Sequence, residues 1–287
     1  MHTISHVREL RGTVAQWRAE GERIALVPTM GNLHDGHMAL VERARQLAGK
    51  VVVSIFVNPT QFVAGEDFDR YPRTPREDAV RLTDAGVDIL FLPTTATLYP
   101  HGLEGAVTVQ VPSLDGMLCG ASRPGHFTGV ATVVTKLFNL VQPDMAVFGE
   151  KDYQQLLVIR RLTEELCLPV EIIGVPTVRE ADGLALSSRN AYLDEEQRAR
   201  APHLYRVLRE AAARLEAGDP PAAVCQGAIR DLEDAGFLPD YFEVRRATDL
   251  GPAGPEDRAL RILAAARLGE TRLIDNIAAH KGVPATG

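Results

Sequence analysis

Two histidines beside two glycines are the first candidates for chemistry in this sequence. The segment reads Pro28-Thr29-Met30-Gly31-Asn32-Leu33-His34-Asp35-Gly36-His37 and follows the short apolar run 24–27. In the first turn of a helix, His34 and His37 would project from one face because they are three residues apart. Imidazole N–H groups can donate hydrogen bonds to a phosphorus centre as negative charge grows on it. The segment predicts a nucleotide loop whose histidines assist transfer at the α-phosphate.

Backbone groups of the same loop also suit a phosphate. Gly31 and Gly36 permit backbone angles and close approaches that a Cβ would block, and a helix start offers N–H groups and a positive dipole end. A single histidine near a helix start is most often a cap or a surface residue, but two around Gly36 favour binding. A zinc site is disfavoured because no third ligand stands nearby in the sequence and H-E-x-x-H is absent.

Two further segments could grip phosphates. Gly149-Glu150-Lys151-Asp152 lies between a predicted strand and a predicted helix, which puts a lysine charge at a strand end and an aspartate where it can cap. Leu186-Ser187-Ser188-Arg189 combines two hydroxyls with a guanidinium, and these groups can wrap a triphosphate as a mobile loop closes. Alone, the second segment would serve equally as a solvated hinge.

The elements that must position these loops alternate between strand and helix. Short β-branched runs predict strands, and apolar stripes with helical spacing lie between them. The predicted strands are 24–27, 51–57, 89–92, 145–148 and 170–175, and the clearest later helices are 129–140 and 153–166. This pattern predicts a doubly wound, Rossmann-like parallel-sheet domain over residues 1–176, with ligands beyond the carboxyl ends of its strands.

A second, smaller α+β domain is predicted over residues 177–287, closing over the active site. Its pattern begins with a polar loop and one long helix from Glu195 to Glu216, which ends before the break at 218–221. A further helix and three strand-like runs follow, at 241–246, 259–265 and 271–277. A chain of 287 residues is comfortable for two such domains.

Composition limits the possible partners and location. The 31 basic and 38 acidic side chains give an acidic balance, which disfavours nucleic acid as a partner. The three cysteines are far apart, which favours a reducing compartment. No secretory signal and no apolar stretch of the ~18 residues needed to cross a bilayer is visible. We expect no membrane partner and a cytoplasmic location.

Six segments, taken in order, carry a family resemblance. They are the loop 28–37, Phe56-Val57-Asn58-Pro59-Thr60-Gln61-Phe62, Arg70-Tyr71-Pro72-Arg73-Thr74, Ser122-Arg123-Pro124-Gly125-His126-Phe127, Phe148-Gly149-Glu150-Lys151-Asp152 and Leu186-Ser187-Ser188-Arg189-Asn190. Together they resemble the pantothenate synthetase (pantoate–β-alanine ligase) family of the H-x-G-H nucleotidyltransferases, over essentially the whole chain. Thr60 departs from the methionine that is frequent in the family, and Arg123 and His126 match a motif to which no role is assigned.

The resemblance implies ATP-dependent condensation of (R)-pantoate with β-alanine to give pantothenate. The pantoate carboxylate would attack the α-phosphorus to give pantoyl adenylate and pyrophosphate, and the β-alanine amine would then displace AMP. AMP leaves readily from a mixed anhydride, whereas a free carboxylate is a poor acyl donor. Mg²⁺ is expected on the triphosphate, held mostly by phosphate and water, and no protein ligand is named. The resemblance also implies a homodimer.

The resemblance also implies roles for individual residues. His37, His34 and Lys151 would be catalytic, with His37 at the α-phosphate. Gln61 and Gln155 would bind pantoate, Gln61 would also contact β-alanine, and Asn58 and Phe62 are further candidates for that pocket. Within the nucleotide site, Val178 would lie near the adenine and Asp152 near the ribose. The full ATP-binding set would be Met30, Gly31, Asn32, Leu33, His34, Asp35, Gly36, His37, Gly149, Glu150, Lys151, Asp152, Val178, Leu186, Ser187, Ser188 and Arg189.

Parts of the sequence would also suit two other functions. One is another H-x-G-H nucleotidyltransferase that acts on a phosphate-bearing substrate, which the histidine loop alone would allow. The amides at Asn58, Gln61 and Gln155 favour a small hydroxy acid instead. The other is a non-enzymatic ATP-sensing module, which the presence of both histidines, Lys151 and Arg189 disfavours.

Overall fold

The apolar runs of the first half of the chain form a six-stranded parallel sheet in the structure, a computed structural model that describes residues 1–281. The predicted strands are confirmed to within two residues at each end, and a short edge strand at the start of the chain was not predicted. The strands are β1 (His2–Ile4), β2 (Ile24–Thr29), β3 (Lys50–Ile55), β4 (Ile89–Phe91), β5 (Met145–Gly149) and β6 (Glu171–Val175).

Helices cover both faces of this sheet. Alternate strand residues such as Val27 and Val53 pack with Leu40 and Leu82 from two helices on one face, and a long apolar helix packs on β2 from the other face. The helices are α1 (Val7–Ala19), α2 (Asp35–Leu47), α3 (Pro75–Asp84), α4 (Thr95–Leu98), α5 (Pro112–Asp115), α6 (Cys119–Ser122), α7 (His126–Val141) and α8 (Tyr153–Glu165). The doubly wound, Rossmann-like prediction is confirmed. The stretch 93–124 contains three of the short helices, α4, α5 and α6.

The order of the strands locates the ligand crevice. The sheet runs β1-β4-β3-β2-β5-β6, so the chain builds outward from β2 in one direction and then returns to β5 on its other side. The ladder between β2 and β5 ends at Leu26 and Ala146, although both strands continue for three more residues. Ligands of such sheets bind where the strand order reverses. The histidine loop and the loop that begins at Glu150 both leave the sheet at this point.

The second part of the chain forms an antiparallel sheet with helices, as the α+β prediction requires. Leu208 and Leu215 are fully buried in its core with Leu232 and Ile262. Its elements are α9 (Glu195–Arg200), α10 (His203–Glu216), α11 (Pro221–Asp234), β7 (Leu238–Arg246), β8 (Ala259–Leu268) and β9 (Thr271–His280), with sheet order β7-β8-β9. Residues 282–287 of the predicted second domain lie outside the described part of the chain.

One helix prediction in this part is wrong. The single helix predicted from Glu195 to Glu216 is two helices, α9 and α10, which are separated at Ala201 and Pro202. Proline has no N–H to donate and its ring clashes with the carbonyl four residues earlier, here that of Arg198. The first helix therefore ends, and α10 starts from Pro202.

By internal contacts the chain divides into two compact units, and the division passes through the start of α8. Met1–Glu150 and Val158–Pro176 form the first unit, and Lys151–Leu157 join the chain from Thr177 onward in the second. Within residues 1–281, no helix is both long enough and apolar enough to cross a membrane.

Candidate functional site

The histidine loop is held in place by the buried carboxylate of Asp78. Gly31 and Asn32 both have left-handed backbone angles, with φ of 84° and 52°. Asp78, which is only 2% exposed, accepts hydrogen bonds from the N–H of Asn32 at 2.9 Å and of Leu33 at 2.8 Å. A Cβ on Gly31 would lie 2.9 Å from Ile55 and 3.1 Å from the Asp78 carboxylate. The tight turn therefore requires glycine at position 31 and an acceptor at position 78.

This arrangement changes the role of the loop backbone. The N–H groups of Asn32 and Leu33 are bonded to Asp78, and the N–H of Gly31 lies 3.2 Å from the Thr29 hydroxyl. These three amides have acceptors inside the protein, and the phosphate cradle suggested by the sequence stays a prediction. Gly36 lies within α2 with ordinary helical geometry, so no left-handed angle accounts for it. Asp78 was missed because it lies 46 residues away from Asn32, in the first turn of a helix where an acidic residue is unremarkable.

The two histidines are positioned by the helix start itself. His34 is the N-cap of α2, and its Nδ1 accepts the N–H of Gly36 at 3.2 Å. His37 returns the bond, since its Nδ1 accepts the N–H of His34 at 3.3 Å, and the ring centroids are 4.1 Å apart. An imidazole whose Nδ1 accepts carries its proton on Nε2 when neutral. Capping therefore leaves the proton of each neutral ring on Nε2, where it can be donated. A histidine that caps the helix through Nδ1 can thus also bind a phosphate through Nε2.

An amide cluster lies next to this loop. Asn58 is 1% exposed, and its Nδ2 donates to the carbonyl of Gly129 at 3.1 Å and to Oε1 of Gln61 at 3.3 Å. Its Oδ1 accepts from the hydroxyls of Thr60 and Tyr99, each at 3.0 Å. Both ends of the Asn58 amide are thus bonded inside the protein. Asn58 orients Gln61, and Thr60 belongs to this polar cluster.

Tyr99 keeps its proton in this cluster. Burial raises the pKa of its hydroxyl above the usual range, while the hydrogen bonds to Thr60 and Asn58 oppose the rise in part. A protonated hydroxyl can donate to Asn58, as the geometry requires.

Phe62, beyond the cluster, packs edge-on against Phe68 and Tyr71 at centroid distances of 5.3 and 5.9 Å.

Met30 and Gln61 are in contact. The Gln61 Nε2 lies 3.0 Å from the Met30 sulfur, so the side-chain amide predicted for the hydroxy acid adjoins the loop predicted for the nucleotide. Thioether sulfur is a weak acceptor, and a better one could replace it. Asp35, also predicted in the nucleotide site, is exposed and pairs at 3.4 Å with Arg81. Within the first unit, the structure therefore brings Met30, the two histidines, Asn58 and Gln61 into one region.

Lys151 is held by other residues of the second unit. Gly149 ends β5, and Glu150–Asp152 form a 3-10 turn before α8. The carbonyl of Lys151 accepts the Asn276 Nδ2 at 2.8 Å, and the Asn276 Oδ1 accepts the Arg261 Nε at 2.6 Å. The Lys151 side chain is 19% exposed, with its Nζ 4.0 Å from the Asp152 carboxylate. Gln155 is half-buried in the first turn of α8.

The serine–arginine segment belongs to a hairpin in the same unit. The N–H of Leu186 donates to the carbonyl of Val178 at 3.0 Å, so two predicted ATP residues are cross-strand partners. Ser187 then caps the 3-10 helix Ser188–Tyr192, accepting from the N–H of Arg189 at 3.3 Å. Arg179 anchors this hairpin by a bidentate pair with Asp275, at 2.6 and 2.9 Å.

Asp275 and Asn276, adjacent on β9, were not found from the sequence. Through Arg179 and the Lys151 carbonyl, they hold both predicted ATP segments of the second unit. Both residues are buried, at 4% and 3% exposure. Their sequence signal is a pair of polar residues inside an apolar strand.

Among residues 1–281, no group of three histidine, cysteine, aspartate or glutamate side chains could hold a metal ion. The donor set that the chain does offer consists of imidazoles, amides, hydroxyls and cations, which suits phosphate and carboxylate oxygens.

Sequence comparison gives a family match over nearly the whole chain. Residues 2–278 match the sequence profile of the family described as pantoate-beta-alanine ligase. A pantothenate synthetase of Pseudomonas aeruginosa (strain UCBPP-PA14) is 59% identical over 282 residues, covering 98% of this chain and 99% of the relative. A pantothenate synthetase of Azotobacter vinelandii is 57% identical over 278 residues, covering 96% and 98%.

Solved structures agree with the sequence comparison. A pantothenate synthetase of Thermus thermophilus superposes with a TM-score of 0.90 at 49% identity, covering 96% of this chain and 99% of that one. A pantoate-beta-alanine ligase from Francisella tularensis, complexed with beta-gamma ATP and beta-alanine, gives a TM-score of 0.82 at 32% identity. It covers 96% of this chain and 97% of that one.

Proposed function

This chain belongs to the pantoate–β-alanine ligase family, and on that premise we propose that it makes pantothenate from (R)-pantoate, β-alanine and ATP. The pantoate carboxylate attacks the α-phosphorus and expels pyrophosphate, which gives pantoyl adenylate. The β-alanine amine then attacks the acyl carbon and expels AMP. The enzyme is thus an AMP-forming ligase of a C–N bond.

One observation carries this proposal, namely the contact of 3.0 Å between the Gln61 Nε2 and the Met30 sulfur. Pantoate has two hydroxyls and a carboxylate, and it must present the carboxylate to the α-phosphorus. A side-chain amide that touches the nucleotide loop can hold the acid where the two reactants meet. Holding two reactants in this way converts a bimolecular step into an effectively unimolecular one.

The histidines supply the electrostatic part of the first step. His37 and His34 present Nε2–H donors on one side of the α2 start, where the helix dipole also favours an anion. As the carboxylate attacks, charge grows on the α-phosphate oxygens, and preorganised donors stabilise it more than they stabilise the ground state. We assign His37 to the α-phosphate and His34 beside it.

The second unit supplies the remaining nucleotide contacts in this proposal. Lys151 neutralises phosphate charge, while Ser187, Ser188 and Arg189 bind the triphosphate tail. Val178 lies beside the adenine, and Asp152 binds the ribose. Support comes from the shared scaffold, since β9 holds both the Lys151 loop and, through Arg179, the hairpin before Ser187. The other predicted contacts are Gly31, Asn32, Leu33, Asp35, Gly36, Gly149, Glu150 and Leu186.

Pantoate is bound by Gln61 and Gln155, and Gln61 also contacts β-alanine. Asn58 acts at this pocket by fixing the Gln61 amide rather than by reaching the substrate, because its own amide is fully engaged. Mg²⁺, held by triphosphate oxygens and water, would neutralise phosphate charge. We further propose a homodimer, a cytoplasmic location, and a domain of residues 177–287 that closes over the domain of residues 1–176.

The alternative of an H-x-G-H nucleotidyltransferase acting on a phosphate-bearing substrate has no support in the comparisons. The two relatives and the two solved structures described above are all pantothenate synthetases or pantoate-beta-alanine ligases. The amides at Gln61 and Gln155 also suit hydroxyls better than a phosphate dianion, which favours cationic donors.

The products and one histidine variant test this function. Purified protein with ATP, Mg²⁺, pantoate and β-alanine should release AMP and pyrophosphate, whereas ADP and phosphate would contradict adenylate formation. His37→Ala should slow single-turnover adenylation by about 10² to 10³, as loss of one preorganised donor commonly does. His203→Ala, at a histidine on α10, is the matched control and should keep the wild-type rate. An unchanged rate in His37→Ala would remove His37 from its role.

A further inference from the structure

Arg123 and His126 lie beside the main chain of Gln61. The His126 Nδ1 is 2.7 Å from the Gln61 carbonyl oxygen, and the Arg123 Nη2 is 3.3 Å from the same oxygen. The Arg123 Nη1 is in turn 3.0 Å from the His126 Nε2. His126 is 8% exposed and the Arg123 side chain 13%. Arg123, the C-cap residue of α6, and His126, which begins α7, thus converge on one carbonyl of the 3-10 turn Pro59–Gln61, here named the substrate turn.

The arginine sets the tautomer of the histidine. A guanidinium nitrogen only donates, so the His126 Nε2 must accept from Arg123. The neutral ring then carries its proton on Nδ1, which donates to the Gln61 carbonyl. The opposite tautomer would set Nδ1, without a proton, against a carbonyl oxygen at 2.7 Å, and both atoms would be acceptors.

Glu66 completes the network by fixing the arginine. Its carboxylate accepts from the Arg123 Nε at 2.5 Å and from the Nη2 at 2.7 Å, and it also accepts the N–H of Val63 at 3.1 Å. Burial alone would raise the pKa of Glu66, but several opposing effects, of which the hydrogen bond and charge of Arg123 are the largest, together hold that pKa below its usual value. The bidentate pair restricts Arg123 to one geometry.

The turn that contains Gln61 packs closely against α7. A Cβ on Gly129 would lie 2.3 Å from the Thr60 carbonyl oxygen and 2.7 Å from the Gln61 nitrogen, so helix and turn meet backbone to backbone. With its main chain fixed on this side, Gln61 extends its side chain to Asn58 and Met30.

We propose that Arg123 and His126 are positioning residues for Gln61. They act through its carbonyl, and they hold its side-chain amide in the pose that receives pantoate. The identity of this ligand rests on the proposed function, but the positioning itself rests on the contacts above. The expected signature is a defect in pantoate binding that leaves ATP binding intact, since neither residue lies in the histidine loop.

Three variants test the proposal. His126→Leu removes the donor to Gln61, and the KM for pantoate should rise about tenfold, the usual worth of one such hydrogen bond, with the KM for ATP within about twofold of wild type. His126→Asn places an amide N–H near the former Nδ1 and should restore most of the loss. Arg123→Lys keeps a positive charge beside Glu66 but loses the bidentate hydrogen bonds of the guanidinium, and it should raise the pantoate KM several-fold. His203→Leu on α10 is the matched control.

The outcomes separate this proposal from the proposed function. Formation of AMP from pantoate by the wild-type enzyme tests the function alone. If the wild type is active and His126→Leu binds pantoate normally, only the positioning proposal is overturned. Equal rises in the KM values for pantoate and ATP, or no difference between the Asn and Leu variants, also overturn it.

A measurement on the unmodified protein covers the case in which His126→Leu does not fold. In ¹⁵N spectra of histidine-labelled protein, with the His126 signals identified by their absence in His126→Asn, Nδ1 should be protonated and Nε2 bare. Arg123→Lys should weaken this preference. A wild-type His126 with its proton on Nε2 would overturn the proposal.

Discussion

The buried carboxylate of Asp78 offers the sharpest test of how the nucleotide loop is held. Asp78→Asn keeps the size of the side chain but replaces one acceptor oxygen by an NH₂ donor. In the structure one carboxylate oxygen accepts the N–H of Asn32 and the other accepts the N–H of Leu33. Whichever way the new amide turns, one backbone N–H therefore faces a donor instead of an acceptor.

The magnitude follows from these two bonds. A hydrogen bond to a charged group contributes about 1.5–3 kcal/mol, and a buried donor left without an acceptor costs about 1–3 kcal/mol. Losing one bond and weakening the other should cost about 3 kcal/mol, since Asp78 is 2% exposed and water gives little help. At about 1.4 kcal/mol for each tenfold, the upper limit for the loss in kcat/KM for ATP is about a hundredfold.

Two assays and one control separate the effects. Urea unfolding gives the loss of stability, and single-turnover adenylation gives the catalytic loss. Glu77→Gln makes the same charge change one position earlier on α3, at an exposed site, and should leave both quantities near wild type. If Asp78→Asn matches Glu77→Gln in stability and in adenylation rate, the hydrogen bonds from Asn32 and Leu33 to Asp78 do not hold the histidine loop in place.

Three further predictions address other parts of the site. Gly129→Ala should raise the pantoate KM about tenfold by steady-state kinetics, because its Cβ would lie 2.3 Å from the Thr60 carbonyl and must push the substrate turn away; an unchanged KM would contradict the close packing. Asn276→Leu should lower stability by about 2 kcal/mol in urea unfolding and slow adenylation, because the Lys151 carbonyl loses its donor. A wild-type adenylation rate would show that the hydrogen bond from Asn276 does not position Lys151 for catalysis. The folded-state pKa of Glu66 lies below the usual value of 4.5, so its stabilising effect is complete above pH 4.5 and is lost as the pH falls through the lower, folded-state value. Wild type should accordingly be more stable than Glu66→Gln at neutral pH, and this advantage should vanish in acid; an advantage that is independent of pH would contradict the ion pair.

The sequence predicts the elements well where one local pattern decides them. The buried valines of β3 and the apolar stripe of α2 give strand and helix by period alone. The wrong helix from Glu195 to Glu216 was also avoidable, since Pro202 inside a helical pattern is a known stop. The amphipathic pattern on either side of the proline concealed the break.

The site was predictable only in part because its support comes from far along the chain. The spacing of His34 and His37 indicates a phosphate site, but it does not reveal that each Nδ1 serves as a cap. Asp78 lies 46 residues from the amide of Asn32 that it holds, and Asn276 lies 125 from Lys151. Such partners depend on tertiary packing, for which a single sequence carries no periodic signal.

The most direct test of the central claim follows the oxygen atoms of the acid. Pantoate labelled with ¹⁸O in its carboxylate is incubated with the enzyme, ATP, Mg²⁺ and β-alanine, and the AMP is examined by mass spectrometry. If the carboxylate attacks the α-phosphorus, one labelled oxygen stays with phosphorus when the amine displaces AMP, and each AMP carries one ¹⁸O. Unlabelled AMP formed together with labelled pantothenate would show that the carboxylate never bonded to phosphorus, and it would contradict the adenylate mechanism.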